Sequence, residues 1–103
     1  MLETLTNSMF AENVNSTFQV RHQAGEPVAF ELVEYREGVA QPGYEHFSLL
    51  FKGPRTVVLP QQTYQMEHPV LGTFALFLVP VRQDDNATYY ESVFNRLLQQ
   101  RRE

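Results

Sequence analysis

The chain has 103 residues, of which 43% are hydrophobic and 13% aromatic, enough for one compact core and too few for several domains. Eight Lys and Arg against twelve Asp and Glu leave a formal charge of −4, which argues against the basic footprint that grips DNA or RNA through phosphates. With no cysteine, disulfide frameworks, thiol nucleophiles and cysteine metal clusters are excluded.

The opening MLETLTNSMFAEN is polar and broken, and the first base is Arg21. It therefore lacks the charged and apolar regions of a secretory signal, and the chain is expected to be cytoplasmic as synthesised. The spacing of Leu5, Met9 and Phe10 predicts a short helix over 6–12 that acts as a lid. Thr6 is its expected N-cap, and Asn13 is expected to end it in the left-handed conformation.

From Ser16 the period changes to two: Phe18, Val20 and His22 alternate with Thr17, Gln19 and Arg21, predicting a first strand with one buried face. Val28, Phe30 and Leu32 continue in a second, but Val33 and Tyr35 fall on the opposite phase, which predicts either a bulge near Leu32–Val33 or partial cover on both faces. After the Pro42-Gly43 turn, Phe47, Leu49 and Phe51 line a third strand that ends at Gly53-Pro54. Tyr64, Met66 and His68 mark a fourth. HPVLG connects it to a fifth, Phe74 to Arg82, apolar on both faces and expected to be the most buried element, with Pro80 at its end, a bulge or an edge. Asp84-Asp85-Asn86 then turns the chain into a sixth strand holding Tyr89, Tyr90, Val93 and Phe94.

Six short strands with brief connections predict an all-β, mainly antiparallel single domain over 1–103: a small six-stranded barrel or sandwich built as a meander, with a tail at 95–103. No internal repeat is visible. The longest apolar run, Phe74 to Val81, falls far short of the roughly 20 residues of a membrane helix, so no membrane partner is expected.

Chemistry is sparse. His22, His46 and His68 raise the alternative of a metal- or small-ligand-binding barrel, which requires at least two of them to converge. Neighbouring strand residues point to opposite faces, however, so neither Glu45-His46 nor Glu67-His68 offers both side chains to one ion. Buried, hydrogen-bonded histidine is the simpler reading. There is no nucleophile elbow, no S-x-x-K and no glycine cluster for phosphate. No catalytic residue, cofactor or metal is assigned.

What remains is surface. Glu26, Glu31, Glu34, Glu37 and Glu45 accompany only Arg36, whereas Arg96, Arg101 and Arg102 have no acid among them. If these regions lie at opposite ends, they favour head-to-tail contact or docking to a charged partner. The loop GPRTVVLPQQ holds Val57, Val58 and Leu59 beside Arg55. It either folds over a barrel mouth or presents an apolar knob, in which case serine at all three positions removes association and leaves the fold intact. Arg55, Val57, Val58, Leu59, Arg96, Arg101 and Arg102 are the candidate partner-binding residues, and an unpaired edge strand would offer strand addition as a further route.

FSLLFKGP at 47–54, LPQQTYQMEHP at 59–69, LGTFALFLVPV at 71–81 and YESVFN at 90–95 together resemble a bacterial domain family of unknown function whose members are about this length. Asn13 stands where that family usually has glycine. The resemblance implies no catalytic residue. It does imply an association with phage-tail collar or tail-fibre-like proteins, hence an assembly, capping or attachment role and incorporation into an extracellular or virion-like assembly. The expectation is a non-enzymatic interaction or structural module, with a protein partner or self-association.

Overall fold

A computed structural model describes residues 7–22, 25–38 and 42–97. The order is α1 (Asn7–Ala11), β1 (Thr17–Arg21), β2 (Val28–Glu37), β3 (Tyr44–Pro54), β4 (Gln62–His68), β5 (Gly72–Gln83) and β6 (Ala87–Leu97). The strands form the expected barrel, closed and antiparallel throughout, in the order β1-β2-β3-β6-β5-β4.

That order departs from an uninterrupted meander at one step. β4 lies beside β1 rather than β3, so the chain from Pro54 to Gln62 crosses one end of the barrel. The result is a Greek key, with two three-stranded meanders joined by the eleven-pair β3–β6 ladder. The meanders repeat each other in topology, although the sequence shows no repeat. β2 bulges between Leu32 and Glu34 opposite Phe51, β5 bulges between Pro80 and Arg82 opposite Tyr90, and Phe51 and Tyr90 are direct partners. At Leu32–Val33 and at Pro80, where the sequence left a bulge as one of several alternatives, the structure has the bulge.

Alternation fills the interior. Phe18, Phe30, Leu32, Phe51, Met66, Leu78 and Tyr90 are fully buried, and Phe30 stacks on Tyr90 at 4.6 Å between ring centroids. Gly53 is required beside this stack, because a Cβ there would stand 2.7 Å from the Phe30 ring.

Each end has its own plug. At the end where β1 begins, Phe10 of α1 is fully buried, with its ring 6.0, 5.9 and 5.4 Å from those of Phe47, Phe74 and Phe94. The expected lid is present as Asn7–Ala11, and Thr6 lies outside the described residues. Asn13 ends the helix differently from expectation. Its side chain donates to the Met9 carbonyl at 2.7 Å, and the left-handed residue is Asn15, with φ 74°. The polar side chain satisfies a helix carbonyl directly, so the turn to β1 is made two residues later.

One burial expectation fails. Along β5 only alternate residues are buried, and Phe77 and Val81 are 48% and 45% exposed. The strand is apolar on both faces but covered on one.

Gly53→Ala is expected to destabilise the fold by about 1–3 kcal/mol, because Phe30 cannot retreat without breaking its stack on Tyr90. Chemical denaturation of the variant against the parent measures this, and an unchanged midpoint would refute the packing assignment.

Candidate functional site

At the far end of the barrel, the loop from Arg55 to Gln61 lies over the mouth. Leu59 is buried and its N–H donates to the Tyr90 hydroxyl at 2.9 Å, while Val57 packs against the core. Burial pushes the Tyr90 phenol above its ordinary range and so keeps it neutral. The knob reading therefore fails for Val57 and Leu59, and only Val58, 55% exposed, faces solvent. Serine at all three positions would put a hydroxyl into the core. Arg55 donates from Nε to the Asp84 carbonyl at 2.8 Å and so ties the loop to the β5–β6 turn. That turn is in turn capped by Asp84, whose carboxylate accepts from the Asn86 and Ala87 amides and is held below its usual range by those two bonds. A shallow cleft of about 260 Å³ between this loop and β4 is lined by His22, Val57, Val58 and Tyr64.

Of the three arginines in the basic region, only the backbone of Arg96 lies among the described residues. Glu45 of β3 is the direct backbone partner of Arg96 in β6, at the same end as Glu37. Antiparallel pairing brings the backbone of Arg96 back to the acidic β2–β3 hairpin, so this one residue is not set at the opposite end from it. Arg101 and Arg102 lie outside the described residues, as does the side chain of Arg96.

The histidines also fail to converge. His22 follows β1 at the far end, His46 is exposed on β3, and His68 is buried at the α1 end of β4. Among the described residues no group of three His, Asp or Glu is placed to hold a metal. Glu67 faces outward, where it pairs with Arg21 at 2.8 Å, as strand alternation requires.

His68 has the contact that invites a catalytic reading: its Nε2 lies 2.9 Å from Ser16 Oγ. The other ring nitrogen decides the protonation. Nδ1 accepts the amide protons of Val70 and Leu71 at 3.0 and 3.1 Å, so in the neutral ring the proton resides on Nε2 and is donated to Ser16. Ser16 in turn donates to the Asn13 carbonyl at 2.5 Å. A histidine that donates to a serine cannot take its proton, so this is a turn clamp rather than a nucleophile and base. It also explains His-Pro-x-Leu-Gly in physical terms. His68 caps the turn, Leu71 is buried, and Gly72 adopts φ 87°.

The least obvious feature lies on β5. Gly72 to Leu78 pair with β4, and Val79 to Gln83 pair with β6. The strand thus changes neighbour between Leu78 and Val79, and over its first seven residues no β6 ladder flanks it. The barrel is split there, with the Phe10 ring between Phe74 and Phe94 on the inside and exposed Phe77 and Val93 on the outside.

A family model matches residues 5–94. The chain belongs to the family described as domain of unknown function DUF6916. No curated protein and no solved structure matches it. The family assignment covers the barrel with α1 and leaves the activity open.

Two outcomes are expected. Leu59→Ser costs about 3 kcal/mol or more, whereas Val58→Ser changes stability by less than about 0.5 kcal/mol, as thermal melts of the two variants will show. Burial also holds the His68 pKa below its ordinary value of about 6.5, so between the folded and unfolded values the unfolded chain binds more protons. Stability is then full above about pH 6.5 and declines as pH falls below it. His68→Asn, whose Oδ1 can still accept the two amides, is expected to lose this decline between pH 7.5 and 5.5. An equal decline in parent and variant would refute the clamp.

Proposed function

We propose that this protein is a non-enzymatic interaction or assembly module that works through its outer surface and its split seam. The observation that carries the reading is where the polar and apolar groups have gone. Aromatic rings fill the interior, α1 and the Leu59 loop plug the two mouths, and the buried histidine is committed to a turn. A six-stranded barrel packed in this way leaves little room for a ligand, which turns attention to the outside. There, β5 offers both a backbone edge and exposed apolar side chains, the two components of recognition by strand addition.

The finer reading is an accessory component of a phage-tail-like or fibre assembly, with a tail-collar or fibre-like protein as partner. Its support is the association that the motif resemblance carries, together with a surface suited to docking. The rival reading, a metal- or small-ligand-binding barrel, needs the convergence that His22, His46 and His68 lack.

A photo-crosslinking amino acid at Phe77, introduced in the native host, tests the reading. A discrete protein adduct is expected, and a tail or fibre structural protein within it would support the finer version. No protein adduct, with a stoichiometric metal or small molecule retained by the purified chain, would overturn it.

A further inference from the structure

We infer that the partner of the β5 edge is a second copy of this chain, the two copies pairing antiparallel through Gly72–Leu78 of β5. The inference rests on the interaction-module reading and names the occupant of the same seam.

Sheet edges that must stay monomeric carry charges, prolines or bulges, since unpaired N–H and C=O groups template another strand. From Gly72 to Leu78 the sequence is GTFALFL, without a charge or a proline, and the β5 bulge and Pro80 lie beyond it, in the part that pairs with β6. The nearest acid on the neighbouring strand, Glu67, is already paired with Arg21. In an antiparallel sheet every second residue of this segment directs its N–H and C=O away from β4, so the edge is a seven-residue template.

Side chains point the same way. The outward residues Thr73, Ala75 and Phe77 are all exposed, and Val93 across the split is 57% exposed. The segment reads as doubly buried from sequence yet is covered on one face only in a single chain. A second β5 added at the seam sets its own outward row beside this one, each Phe77 against the partner's Thr73, and so shields the flanks of these side chains.

Identity of the partner follows from symmetry and charge. An uncharged edge meets its own copy without repulsion. An antiparallel pair centred on Ala75 sets each Thr73 opposite the partner's Phe77, with small residues at the axis. Such a twofold contact uses up the β5 edge of both copies, so pairing through β5 closes at two.

The test is the mass of the purified chain by analytical ultracentrifugation from micromolar to millimolar concentration. The expected species is a reversible dimer of the 12.0 kDa chain. In Thr73→Lys/Ala75→Lys, the lysine at position 75 would meet its counterpart across the axis with the lysine at position 73 diagonal to it, and the dimer Kd is expected to rise about 100-fold or more. Both positions are exposed, so the thermal melt of the monomer should be retained. Thr56→Lys/Gln61→Lys, with the same charge added at the far end of the barrel, should dimerise as the parent does. A strict monomer, an open-ended polymer, or a dimer indifferent to the β5 lysines would overturn the inference. If the pure chain is monomeric while Phe77 still crosslinks to another protein in cells, self-pairing alone fails; if neither association is found, the interaction reading fails with it.

Discussion

β5 has two neighbours but never both at once. It is twelve residues long, and its first seven residues face β4 while its last five run beside β6. That handover lets two short meanders close on each other. A small barrel needs tilted, strongly coiled strands, and the bulges in β2 and β5 supply the bend at equivalent points of the two halves. The cost is a seam. Closure at one end is completed by side chains, with Phe10 wedged between Phe74 and Phe94 where a ladder would otherwise run.

The plugs make the same point about function. A helix of five residues has little stability alone, so α1 is held by what it inserts and by its polar tethers. Phe10 supplies the burial. Asn7 donates to the Tyr35 hydroxyl at 3.0 Å, and Tyr35 donates to Glu37 at 3.2 Å, fixing the helix to β2. At the other end Tyr90 is both core ring and anchor, stacked on Phe30 while its hydroxyl accepts the Leu59 amide. Tyrosine, histidine and aspartate in this molecule mostly close turns and loops. Tyr64, Tyr90, His68 and Asp84 each spend at least one hydrogen bond on the backbone of a turn or loop.

Much of this could be read from the sequence, and the misses share a cause. Period two located all six strands, and the phase change at Leu32–Val33 and the proline at position 80 marked two irregular places, each with a bulge among its alternatives, because each is a local signal. Which strand sits beside which is non-local. Nothing in residues 53–62 distinguishes a hairpin from a crossover, so the meander expectation failed at β3–β4. Asn13 and Asn15 are both able to turn the chain, and their sequence neighbours do not show which side chain will find a helix carbonyl. The His68 clamp was written in His-Pro-x-Leu-Gly, but only as a hairpin; the roles of the two ring nitrogens depend on amides that the turn itself positions. The most instructive miss is the fifth strand. Phe77, Val79 and Val81 were read as buried because apolar residues usually are, and in a single chain two of the three are nearly half exposed.

Docking at β5 requires that its edge be open in the folded chain. Amide hydrogen exchange read by NMR, at a concentration low enough to hold the chain monomeric, measures this residue by residue. An open edge predicts alternation over Gly72–Leu78, slow for amides bonded to β4 and fast for those between them. Uniform protection across the whole segment would mean that the edge is already satisfied within one chain, and would contradict the account.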